Sequence, residues 1–179
     1  MKLSRTERWI LSNQYLILEK LDPDYGYDQV RRVIEEGFEL EYEQQAQHIY
    51  GDDYCLTETE CKEVLDVLSM YARIQSACRN LDPKPDVSEL STKFFGYDGN
   101  GEVKFLGYAQ YLCGNGRRFT DVEVVSTDLN SHMPIRDAYK RQLREFRNSS
   151  DPFHLSASDV ERIVGARTHP ANREPAAST

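Results

Sequence analysis

Along most of this chain the apolar positions recur at intervals of three and four, the spacing that lines up one face of an α-helix. Ser4 and Glu7 have the spacing of a capping box, in which hydroxyl and carboxylate satisfy backbone donors left unpaired in a first turn, so a helix is predicted from Arg5. Its apolar positions Trp9, Ile10, Leu11, Tyr15, Leu16, Ile17, Leu18 and Leu21 cover more than one stripe, which predicts contact with two neighbours. Asp22-Pro23-Asp24 ends it, because Pro disfavours helical geometry in the residue before it. A second helix is predicted over 27–36 on Val30, Val33 and Ile34, with Gly37 as its stop, and a third over 38–50 on Leu40, Ala46 and Ile49. Thr57 and Glu60 form a second capping box before a long helix to Leu81, with Val64, Leu65, Leu68, Tyr71, Ala72, Ile74 and Ala77 spaced for burial.

The two prolines of 82–87 mark a linker, the one plausible internal boundary. An aromatic, glycine-rich stretch, 94–101, leads into a helix over 102–112 that Gly114-Asn115-Gly116 stops. Val122, Val124 and Val125 give 119–130 a β-like composition, but with no partner strand in view it reads as irregular or extended. Pro134 suits the first position of an amphipathic helix over 135–147 with Ile135, Tyr139, Leu143 and Phe146 inward. Ser156 and Asp159 cap a last short helix ending near Gly165. The pattern predicts an all-α protein with little or no β: an N-terminal helical region over 1–81, a C-terminal one over 88–166, and a disordered tail over 167–179.

Composition supports a folded core, since 179 residues with eleven Tyr and seven Phe can bury apolar surface without disulfides or metal. Thirty acidic against 22 basic side chains give a net charge of -8, which disfavours general attraction to nucleic acid or anionic lipid. Cys55, Cys61, Cys78 and Cys113 show no CxxC spacing and fall in stretches that read as helix, as small buried hydrophobes in a reducing compartment would. No signal-like apolar run follows the N-terminus and no stretch is long enough to span a bilayer, so a cytoplasmic location without membrane attachment is expected.

Three sets of polar residues are candidates for function. Ser12, Asn13, Gln14 and Tyr15 sit within the apolar run of the first helix, where a buried amide without a partner would cost about 1–3 kcal/mol. An inter-helix or oligomer contact that fixes register is the favoured reading, over a ligand pocket lined by Ser12, Asn13 and Tyr15. Glu36 and Glu39 (with Glu35), followed by Glu63 and Asp66 (with Glu60), could hold Mg²⁺ and a nucleoside triphosphate as in all-α pyrophosphohydrolases. Gly37 interrupts the first set and helix dipoles favour acids near Glu60, so a solvated acidic face is preferred. Arg136, Lys140, Arg144 and Arg147 form a basic stripe that could contact phosphates, including those of nucleic acid, or pair with the acidic helices, the latter fitting the net charge better. Asp98, Asn100 and Glu102 lack the downstream ligands of a calcium loop, position 109 being Ala, and the four scattered His show no metal-ligand spacing.

Four stretches, Arg8-Trp9-Ile10-Leu11-Ser12-Asn13-Gln14-Tyr15, Val33-Ile34-Glu35-Glu36-Gly37-Phe38, Leu106-Gly107-Tyr108 and His154-Leu155-Ser156-Ala157, resemble in the same order the YfbU-like family of bacterial proteins. The resemblance implies an all-helical fold, a helical hairpin associated with a second helical domain, a tendency to self-associate and a loose link to stress or cell-death regulation. It carries over no catalytic residues, and the tail after residue 166 departs from it. The expectation is a helical interaction or regulatory protein working as a homo-oligomer, with Arg8, Ser12, Asn13, Gln14 and Tyr15 in its interface and no metal. A Mg²⁺-dependent nucleotide hydrolase and a nucleic-acid-binding protein are the alternatives.

Overall fold

Ser4 Oγ accepts the Glu7 amide at 3.3 Å while the Ser4 amide donates to Glu7 Oε2 at 2.7 Å, so the first capping box forms as its spacing predicts. Thr57 with Glu60 and Ser156 with Asp159 repeat the motif. In this computed structural model, which describes residues 1–51, 54–114, 116–169 and 171, the three boxes start α1 (Arg5–Leu21), α4 (Glu58–Asn80) and α8 (Ala157–Gly165). Between them run α2 (Tyr27–Glu36), α3 (Glu39–Gln45), α5 (Glu89–Thr92), α6 (Val103–Cys113) and α7 (Arg136–Arg147). The protein is all-α, with isolated bridges but no strand among the described residues.

Packing divides the chain between Cys55 and Leu56, and 82–87 lies inside the second unit. This differs from the expected 1–81 and 88–166 regions, because α4 turns Val64, Val67, Leu68, Tyr71 and Ile74 into a core shared with the helices that follow it. Periodicity shows that a face is buried but not against what. Of the predicted tail, 170 and 172–179 fall outside the described residues.

In the first unit α1 and α2 form an antiparallel hairpin closed by a 3₁₀ turn, Pro23–Tyr25, and by Gly26 at φ +85°. Arg8 reaches the far end of α2, its Nη1 donating to the carbonyls of Ile34 (3.4 Å) and Glu35 (3.2 Å), orphans of the last turn. Gly37 ends α2 in the left-handed region at φ +78°, as a C-terminal stop requires. α3 stops at Gln45, short of the predicted residue 50, and Leu40, Ile49 and Tyr50 remain exposed. Beyond Gln45 the segment buries no side chain, so no tertiary packing holds a further turn in helical register. The hydrophobic side chains buried in this unit, among the described residues, are Ile34 and Tyr42.

The second unit is built around α4, which packs on α5, α6, α7 and α8. At its centre Tyr71, Phe94, Tyr97 and Tyr139 meet largely edge to face, ring centroids 5.4–5.8 Å apart. Burial pushes the Tyr71 phenol up to about 12 and Tyr139 well above its ordinary range. Two buried glutamines bind backbone to this core. Gln75 Nε2 donates to the carbonyls of Thr92 (3.1 Å) and Glu123 (2.9 Å), and its Oε1 accepts the Glu123 amide at 2.9 Å. Gln142 accepts from Tyr71 OH at 3.1 Å and donates to the Ile163 carbonyl at 3.3 Å. The 119–130 segment is irregular, one of the two forms expected of it, and finds a partner in 94–97 through isolated parallel bridges Phe94↔Val124 and Tyr97↔Asn130. Glu102 caps α7 from across the fold, accepting the amides of Ile135 (3.1 Å) and Arg136 (2.9 Å).

Candidate functional site

α1 exposes what its sequence suggested it would bury. Arg8, Leu11, Ser12, Tyr15 and Glu19 are partly buried, and of these Arg8, Ser12, Tyr15 and Glu19 reach α2 residues or partners of α2 residues. Tyr15 lies 6.2 Å from Tyr27, ring to ring, and Ser12 Oγ donates to Glu35 Oε1 at 2.7 Å. That hydroxyl and then the Arg31 guanidinium hold Glu35 below its ordinary carboxylate value. On the other side Trp9 (69% exposed), Ile10 (50%), Ile17 (60%) and Leu21 (76%) face solvent with Leu16. Asn13 and Gln14 are also exposed, because α1, whose pattern predicted contact with two neighbours, packs closely on one helix, α2. Ile10, Asn13 and Ile17 follow one another at steps of three and four, the spacing of a helix–helix seam with an amide at its centre.

A second candidate lies in the second unit. Thr59, Lys62, Glu63 and Asp66 of α4 face Lys140, Leu143, Arg144 and Arg147 of α7 across a groove of about 630 Å³ that Asn148 closes. The acidic and basic residues read separately from the sequence thus meet here. Arg136 clamps Glu63 through Nε (2.6 Å) and Nη2 (2.9 Å), and its guanidinium stacks 4.0 Å from the Phe105 ring centroid. That bidentate pair pushes Arg136 still further above its ordinary value. Asp66 is shared by Lys62 (3.1 Å) and Arg147 (2.8 Å). Lys140 pairs at 3.4 Å with exposed Asp137, and Arg144 has no ion-pair partner among the described residues.

The model of the YfbU domain matches residues 1–166. The chain belongs to the YfbU family. Within its YfbU domain, Glu36 and Glu39 belong to the first unit and Glu63 and Asp66 to the second. Glu36 pairs with Arg32 at 2.7 Å, and no group of three or more His, Cys, Asp or Glu among the described residues is arranged to hold a metal ion. Of the cysteines, Cys61, Cys78 and Cys113 lie on helices and are partly exposed, whereas Cys55 lies outside them and is exposed, unlike the buried helical placement expected. Cys61, Cys78 and Cys113 are free thiols. Among the described residues of the YfbU domain no helix is long and apolar enough to cross a membrane. Sequence reasoning missed Thr59, Lys62 and Asn148 as groove residues; the i, i+4 pairing of Lys62 with Asp66 was the available signal.

Proposed function

We propose that this YfbU-family protein is a cytoplasmic interaction or regulatory protein that works as a homo-oligomer, with the outer face of α1 as its interface. The observation that carries this reading is that α1 has no buried residue although it holds Trp9, Ile10, Leu16, Ile17 and Leu21 on one side. Each such side chain gains roughly 1.5–3 kcal/mol on full burial. A unit of 55 residues with two buried hydrophobic side chains among its described residues cannot offset its own ordering entropy from that core, so it calls for covering. A second copy of the chain supplies a matching seam: Ile10 and Ile17 pack against their counterparts, and Asn13, donor and acceptor in one amide, pairs with itself across a two-fold axis. The free thiols of Cys61, Cys78 and Cys113 fit a reducing compartment.

Sedimentation of the purified chain at micromolar concentration tests this. A dimer or higher oligomer is expected, and Ile10→Glu/Ile17→Glu is expected to give a monomer. Trp9, the single tryptophan, offers an independent reading, since its emission shifts to the red when dilution exposes it. A parent chain that sediments as a monomer, with emission unchanged by dilution, overturns the proposal.

A further inference from the structure

We propose that the groove between α4 and α7 is a binding site for a sugar phosphate. This site lies wholly within the second unit and does not rest on self-association. Its charge is the first argument. In a chain of net charge -8, the groove and its ion-pair partners hold Lys62, Arg136, Lys140, Arg144 and Arg147 against Glu63, Asp66 and Asp137. Both carboxylates of the wall are already neutralised, Glu63 by Arg136 and Asp66 by Lys62 with Arg147, which leaves Arg144 and the loosely held Lys140 facing the groove one helical turn apart. Of these two cations Arg144 has no ion-pair partner among the described residues and Lys140 has only the exposed Asp137 at 3.4 Å, so they repel each other, and an anion with more than one charge relieves that cost.

The rest of the lining narrows the ligand class. A volume of about 630 Å³ falls within the range of small-molecule sites. No aromatic side chain lines it, so it offers no platform on which a nucleobase would stack. The Thr59 hydroxyl, the Asn148 amide and the carboxylates of Glu63 and Asp66 instead present donors and acceptors suited to hydroxyl groups. Phosphate on Lys140 and Arg144, with sugar hydroxyls toward Thr59, Asp66 and Asn148, uses these groups and leaves Glu63 to Arg136.

Isothermal titration at low ionic strength with fructose 1,6-bisphosphate, inorganic pyrophosphate and ATP tests the assignment on the full chain. Saturable binding of the bisphosphate is expected, tighter than that of pyrophosphate and not exceeded by ATP. Lys140→Ala/Arg144→Ala, and equally Lys140→Gln/Arg144→Gln, should weaken it by about tenfold or more. Both side chains are exposed, so an unchanged thermal melt should accompany the loss. Arg79→Ala/Lys84→Ala removes the same charge elsewhere and should leave binding intact. The proposal is overturned by absence of saturable bisphosphate binding at about 5 mM, by pyrophosphate or ATP binding more tightly, or by equal loss in the Arg79 and Lys84 variant.

Discussion

Gly96 stands at φ +82°, and a Cβ built there would lie 1.7 Å from the Leu129 carbonyl oxygen, the same oxygen that accepts the Tyr97 amide at 3.0 Å. Only glycine permits both the left-handed backbone and this approach. Gly96→Ala is therefore expected to cost roughly 3 kcal/mol or more, lowering Tm by on the order of 10 °C in a thermal melt. Gly37→Ala should cost less, because the added Cβ at Gly37 meets the mobile end of Arg8 and not backbone. Asp159 supplies a pH dependence. The Ser156 hydroxyl first, then the Ser156 amide and Arg162, hold its carboxyl below the ordinary aspartate value of 3.8. A depressed acid stabilises the fold fully above that ordinary value and loses its share as pH falls through the folded one. The parent chain should thus lose Tm on acidification below about pH 3.8, and Asp159→Asn, less stable at neutral pH, should show a shrinking deficit there.

Helices whose signals are local were legible from the sequence. The boxes at Ser4, Thr57 and Ser156 lie within three residues of their partners, so α1, α4 and α8 start where predicted. What joins distant elements was not legible. Nothing near Glu102 in the sequence announces that it caps α7 some thirty residues later, and Gln75 gives no sign that it holds the 119–130 segment through Glu123. The groove was half legible for the same reason: α4 shows its acids and α7 its bases, but only packing sets Glu63 against Arg136 and Asp66 against Arg147. For α1 the apolar pattern was read correctly and its burial was not, since a pattern states which side chains favour leaving water and not which neighbour is present.

At the scale of the whole chain, the acidic excess is not spread evenly in its effect. The groove gathers basic side chains inside a protein whose net charge is -8, so binding there should fall off with salt while the rest of the surface repels anions. The two units also differ in how much core each possesses. The second buries the aromatic cluster and the apolar face of α4, whereas the first buries Ile34 and Tyr42. Limited proteolysis at rising protein concentration should show the difference: cleavage within 1–55 fast in dilute solution and suppressed as concentration increases, with 56–166 resistant throughout. Equal resistance of the two units at every concentration would contradict it. On the proposed self-association, that thin core would couple abundance to survival. A subunit made in excess of its own kind would present its N-terminal hairpin to the cell's proteases, and one that has found a copy of itself would not, so the amount of protein that persists should rise more steeply than the amount made.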